Sequence, residues 1–146
     1  MWTCCNMARA KKLKYEKANC LIMLASYGLH IDIDEVKSDS LWTLYYASEN
    51  SDENLEYLVF QNEIMVKVID MLKDKIYEVF VPAIRVIGNV LSSHDHNDMI
   101  SRYIGLGLLD NLNEISQSAS TGILKELLWV LSNLMAGSPV HINAVI

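Results

Sequence analysis

Four nine-residue segments of this chain align without gaps: WTCCNMARA from Trp2, WTLYYASEN from Trp42, RVIGNVLSS from Arg85 and WVLSNLMAG from Trp129. Their first column reads Trp2, Trp42, Arg85, Trp129, and their fifth reads Asn6, Tyr46, Asn89, Asn133. On a helix, residues four apart share a face, about 6 Å apart along the axis. An Asn amide carries a donor and an acceptor, so it pairs with a peptide backbone and reads no side chain. An indole is a flat apolar wall, and two such walls sandwich the methylene stem of a Lys or Arg with some cation–π gain. Acidic residues at the edge then receive the charged head. Asp39 and Glu126, each three residues before a Trp, are candidates, as are Glu49 and Asp95 after their helices. The chemistry on offer is recognition of an extended basic peptide.

Other constellations are weaker. His94-Asp95-His96 with Asp98 brings only two imidazoles together in a polar turn, which points to solvation and not to a metal. Ser, His and Asp occur without an elbow or other motif context, so no catalysis is expected. The Gly-Leu-Gly at Gly105–Gly107 has no strand before it and is a turn. Lys11, Lys12 and Lys14 are a solvated loop. Cys4, Cys5 and Cys20 have neither metal spacing nor a disulfide framework, and an odd count suits a reducing compartment. No cofactor is implied. The net charge of −6 disfavours nucleic acid and anionic membrane as partners, and no apolar run reaches the length of a membrane span.

The elements that must position the columns are helices. Segment starts lie 40, 43 and 44 residues apart, within the armadillo and HEAT range. Intervening positions recur too: Phe60, Ile64 and Val68 return 44 residues later as Ile104, Leu108 and Leu112. Pro and Gly are scarce, which argues against a sandwich or barrel. The patterning predicts helices near Asn54–Phe60, Ile64–Lys73 and Val81–Leu91, the last with Pro82 in its first turn. It predicts three more near Asp98–Ile104, Leu108–Ser116 and Gly122–Met135. Leu44, Ile87, Val90, Leu131 and Leu134 fall on another face from the Trp–Asn columns and form the core. The Trp–Asn face is then exposed as a stripe. A rival reading makes the Asn column a ladder that only joins neighbouring helices, since buried amides need partners.

At these residues the sequence resembles importin alpha (karyopherin alpha), the armadillo-repeat receptor for nuclear localisation signals. LKELLWVLSNLMAG, VPAIRVIGNVLSSHD and SDSLWTLYYASEN look like successive third-helix motifs of that family. Its irregularities recur as well: Tyr46 replaces Asn, and Arg85 replaces Trp in the next repeat. The resemblance spans essentially the whole chain, from the end of the family's fourth repeat to the start of its eighth. It implies that Trp2 and Asn6 close the major basic-peptide site, and that Asp39, Trp42 and Tyr46 belong to the repeat between sites. Arg85, Asn89, Asp95, Lys125, Glu126, Trp129 and Asn133 match part of the minor site. Arg85 would divide the groove, and its cation would repel basic side chains unless an acid neutralised it. Cys4 and Cys5 depart from the usual residues, and Lys11–Tyr27 matches poorly.

The expectation is therefore an all-α fold, a partial armadillo solenoid with the right-handed α-α superhelix of that architecture. Residues 1–9 end one repeat, 10–49 form a divergent repeat, 50–93 and 94–137 form two full repeats, and 138–146 start another. The expected function is that of a nuclear import signal receptor, or a fragment of one, in cytoplasm and nucleus. Its partners would be proteins with basic localisation signals, and importin beta only where a further N-terminal segment exists. The alternative is a non-transport armadillo scaffold or decayed receptor copy that mediates other protein–protein contacts.

Overall fold

In the computed structural model, every regular element among the described residues is helical. The structure describes residues 1–10, 15–49, 51–93 and 96–145. The lysine-rich loop at Lys11, Lys12 and Lys14, and the residues His94 and Asp95, lie outside them. In chain order the helices are α1 (Trp2–Arg9), α2 (Tyr15–Gly28), α3 (Asp34–Glu49), α4 (Asp52–Val59) and α5 (Asn62–Asp70). A single 3-10 turn, Met71–Lys73, extends α5. Then come α6 (Tyr77–Leu91), α7 (Asn97–Gly105), α8 (Leu108–Ser118), α9 (Thr121–Met135) and α10 (Pro139–Val145).

Local chemistry accounts for several boundaries. Ser51 caps α4 by accepting from the Asn54 N–H at 3.3 Å, with Asp52 and Glu53 in the positive first turn. Ser120 takes the same role at α9, from the Ile123 N–H at 3.5 Å. Between α7 and α8 the chain reverses at Gly107, whose φ of 87° only glycine adopts without strain. One expectation is corrected: α6 begins at Tyr77, so Pro82 sits in its second turn, inside the helix. Proline has no N–H to give the Glu78 carbonyl one turn earlier. The helix persists because most of its residues, including those around Pro82, are buried, so tertiary packing outweighs the lost bond.

The long helices α3, α6 and α9 lie side by side, with α1 against α3. The short helices α4, α5, α7 and α8 back them, and one continuous apolar core runs through all of these layers. Leu44, Ile87, Val90 and Leu134 are buried as expected, whereas Leu131 is only half-buried.

Successive repeats are also tied by hydrogen bonds that span about one period each. The Tyr103 hydroxyl on α7 donates to the Val59 carbonyl at the end of α4, at 2.6 Å. The Asn111 amide on α8 donates to the Ile69 carbonyl of α5 at 3.4 Å. On the third helices, the Asn89 amide donates to the Tyr45 carbonyl at 3.4 Å and to Ser48 Oγ at 3.0 Å. The Asn133 amide donates to the Gly88 carbonyl at 2.9 Å. Each helix type of the repeat thus has its own polar tie to its predecessor. The first two supply the Val59 carbonyl and the buried Asn111 amide with a partner.

Candidate peptide-binding groove

The stacked helices α1, α3, α6 and α9 carry the four aligned segments, so the columns become a row. The contacts define its register. A first-column side chain rests on the fourth-column position of the preceding helix. The Trp129 indole lies against Gly88, where an added Cβ would overlap its six-membered ring. The Arg85 guanidinium lies 5.8 Å from the Tyr45 ring centroid. Side-chain volumes alternate accordingly, with a large indole over glycine and a slim guanidinium over tyrosine. Sequence reasoning missed this pairing, although the fourth column (Cys5, Tyr45, Gly88, Ser132) was there to be compared with the first.

Trp42 stacks on Tyr46 one turn on, with centroids 5.7 Å apart and planes inclined by 24°. Tyr45 meets both rings edge-on, at 5.7 Å and 5.1 Å. Arg85 covers this cluster, 5.4 Å above the Trp42 ring. Its other side is bound by Glu126: Nη2 to Oε1 is 2.6 Å and Nε to Oε2 is 3.2 Å. The two-point contact raises the guanidinium pKa above its ordinary value, chiefly through the Glu126 hydrogen bond and against partial desolvation. So the acid that neutralises Arg85 is Glu126, a residue first read as a receptor for a ligand's charge. Burial likewise raises the Tyr45 phenol, helped by Glu49.

The remaining candidates are placed as follows. Trp2 is 72% exposed and Trp129 37%, while Trp42 is half-buried. Asn6, Tyr46, Asn89 and Asn133 are all half-buried. Asn6 Oδ1 accepts from Arg9 Nη2 at 2.8 Å. Asp39, half-buried one turn before Trp42, helps raise the Cys5 thiol, after burial as the larger cause. Lys125 is exposed beside Glu126. Asp95 lies outside the described residues. The Asn ladder considered as a rival reading exists here at Asn89 and Asn133, yet it uses only amide hydrogens. No hydrogen bond to either Oδ1 occurs among the described residues. No group of three or more His, Cys, Asp or Glu that could hold a metal occurs among the described residues.

No family model matches the chain. Curated relatives do. Importin subunit alpha-1a of Oryza sativa subsp. japonica is 27% identical over 147 residues, which is 99% of this chain and 27% of that protein. Importin subunit alpha-2 of Caenorhabditis elegans is 30% identical over 99 residues, 67% of this chain and 18% of that protein. The chain is homologous to part of importin alpha. It spans about a quarter or less of the length of these relatives. Among solved structures, a designed armadillo repeat protein in complex with the peptide (KR)4 superposes with a TM-score of 0.81 at 22% identity. The match covers 98% of this chain and 59% of that one. Computationally designed armadillo proteins for modular peptide recognition give 0.82 at 19% identity, covering 99% and 60%. The fold is the armadillo solenoid, present in part. The chain is an armadillo scaffold of a kind capable of peptide binding. Among the described residues, no helix is long and apolar enough to cross a membrane.

Proposed function

We propose that this chain binds extended Lys/Arg-rich nuclear localisation signals along the α1–α3–α6–α9 face, as an adaptor in protein import into the nucleus. The observation that carries this reading is the row itself: Trp2 and Trp129 exposed at either side of a cluster in which the protein's own Arg85 already lies on Trp42. That intramolecular contact is a cation on an indole with a carboxylate behind it, the chemistry a bound lysine or arginine would use elsewhere on the face. A designed armadillo protein of the same fold is in complex with (KR)4, which supports the reading by analogy. Partners would be cargo proteins with basic signals, met in cytoplasm and nucleus. Importin beta would join only through a segment outside these residues. The acidic balance favours a cationic ligand and makes its binding fall with salt.

One observation favours a plain scaffold instead: the Asn89 and Asn133 amides bridge third helices. The two readings separate in one titration. A fluorescent Lys/Arg-rich peptide should bind the wild-type chain, and Trp129→Ala with Asn133→Ala should weaken it about tenfold or more, near 1.4 kcal/mol. Circular dichroism would check that the variant still folds. A folded wild-type chain that binds the basic peptide no better than an acidic one of equal length would leave the scaffold reading.

A further inference from the structure

Two clefts of this molecule occupy the same place in successive repeats. One is walled by Leu29, Asp32 and Lys37 around the α2–α3 connection and by Lys67, Asp70 and Met71 at the end of α5. The other is walled by Leu72, Lys75 and Phe80 around the α5–α6 connection and by Asn111, Glu114 and Ile115 of α8. The residues correspond in order, 43 apart across the first wall and 44 apart across the second. Their chemistry differs. In the first cleft Lys37 is bonded to Asp32 at 2.7 Å and lies 3.6 Å from Asp34, with its side chain only 15% exposed, so charge fills the space. In the second, Phe80 stands where Lys37 does and Asn111 where Lys67 does. Ala119 and Ile123 complete an apolar floor with Leu72 and Ile115. The Tyr77 ring meets Phe80 edge-on, centroids 5.7 Å apart, and holds it in the wall. The second cavity is the larger, about 600 Å³ against about 390 Å³. That lies in the range of sites that hold a small organic group.

Asn111 gives this apolar cleft a polar point. It is 8% exposed, its amide nitrogen donates to the Ile69 carbonyl at 3.4 Å, and no hydrogen bond to its Oδ1 occurs among the described residues. An acceptor in an apolar wall is matched by a ligand with one donor and an otherwise apolar surface. At the rim, Lys73 and Lys75 stand against Asp74 and Glu114, so neither sign of charge is selected. An apolar body, a single donor and no charge describe an indole. The exposed rim residues Lys73, Lys75, Glu114 and Ser118 leave the mouth open to solvent, with room for a backbone that carries the ring. We propose that this cleft takes the tryptophan side chain of a partner protein, with the ring against Phe80, Ile115 and Ile123 and the indole N–H donated to Asn111 Oδ1. Both walls belong to this chain. The cleft shares no residue with the Trp–Asn columns, and its ligand is neutral where theirs is basic.

The test is a methyl NMR titration of the full chain with N-acetyl-tryptophanamide. The Ile115 and Ile123 signals should move, while those of Ile31 and Ile33, which are exposed elsewhere, should not. The same compound methylated at the indole nitrogen lacks the donor and should bind at least about fivefold more weakly. That comparison alters the ligand and not the protein, so folding does not enter. Ala119→Glu, on the half-buried floor, should abolish the Ile115 and Ile123 response with circular dichroism unchanged. Were that variant to unfold, the two compounds would still decide. Equal binding of the two compounds overturns the inference, as do shifts that fall equally on Ile31 and Ile33. Silence of Ile115 and Ile123 at millimolar compound does so too. A cleft that takes free indole but rejects N-acetyl-tryptophanamide is a small-molecule site, which overturns the partner.

Discussion

At the scale of single residues, the pair Arg85–Glu126 does most to define the face. It crosses between α6 and α9, and its guanidinium closes over Trp42 and Tyr45. Both side chains are partly exposed, so the pair contributes modestly. Glu126→Gln should cost about 0.5–1 kcal/mol in a urea melt, and a variant as stable as wild type would show the contact to be incidental. Residue identity was legible here only in part. Trp at i and Asn at i+4 announced a face, because helical spacing is fixed. Nothing local tied Arg85 to an acid 41 residues away, and Glu126 was equally apt to meet a ligand. The same limit explains Gly88, whose lack of a side chain becomes meaningful only beneath Trp129.

At the scale of elements, the polar ties between repeats stand out. Tyr103 is buried, and its phenol, held against the Val59 carbonyl, is pushed up to about 12, with desolvation as the main cause. An unfolded tyrosine ionises near 10. Its share of the stability is therefore whole below pH 10 and is lost as pH rises towards 12, because the unfolded chain gives up the proton first. Tyr103→Phe should cost about 1–2 kcal/mol at neutral pH by leaving the Val59 carbonyl unpaired. It should also flatten the loss of stability between pH 10 and 12, as followed by urea melts across that range. Helix existence was legible from the apolar period for α4 to α9, within a few residues at each end. The start of α6 was not. Pro82 is a strong local stop signal, and only the burial of the residues around it, a property of neighbouring helices, overrides that signal.

At the scale of the molecule, stability is a sum over joints between neighbours. Among the described residues, helices α3 and α6 each pack against a long helix on either side, whereas α1 packs chiefly against α3 and α10 chiefly against α9. Amide exchange followed by mass spectrometry should therefore show slow exchange in α3 and α6 and fast exchange in α1 and α10, with α9 between. Uniform protection along the chain would mean that the repeats unfold as one block. The repeat period made this architecture legible from sequence, since only stacked neighbours bury such units. What lay beyond the sequence was the complementarity of the joints, which exists only between residues one repeat apart.

The seating of Trp129 on Gly88, and of Arg85 on Tyr45, makes each first-column side chain a shim between two long helices. The thickness of the shim sets the angle at which one helix meets the next, and that angle, added joint by joint, sets the pitch of the whole superhelix. A methyl group placed at Gly88 acts on a lever: a small tilt where it is inserted becomes a displacement that grows with every repeat beyond it. The spacing along which a ligand's side chains would have to fall is thus written in volumes buried behind the groove, at positions no ligand touches.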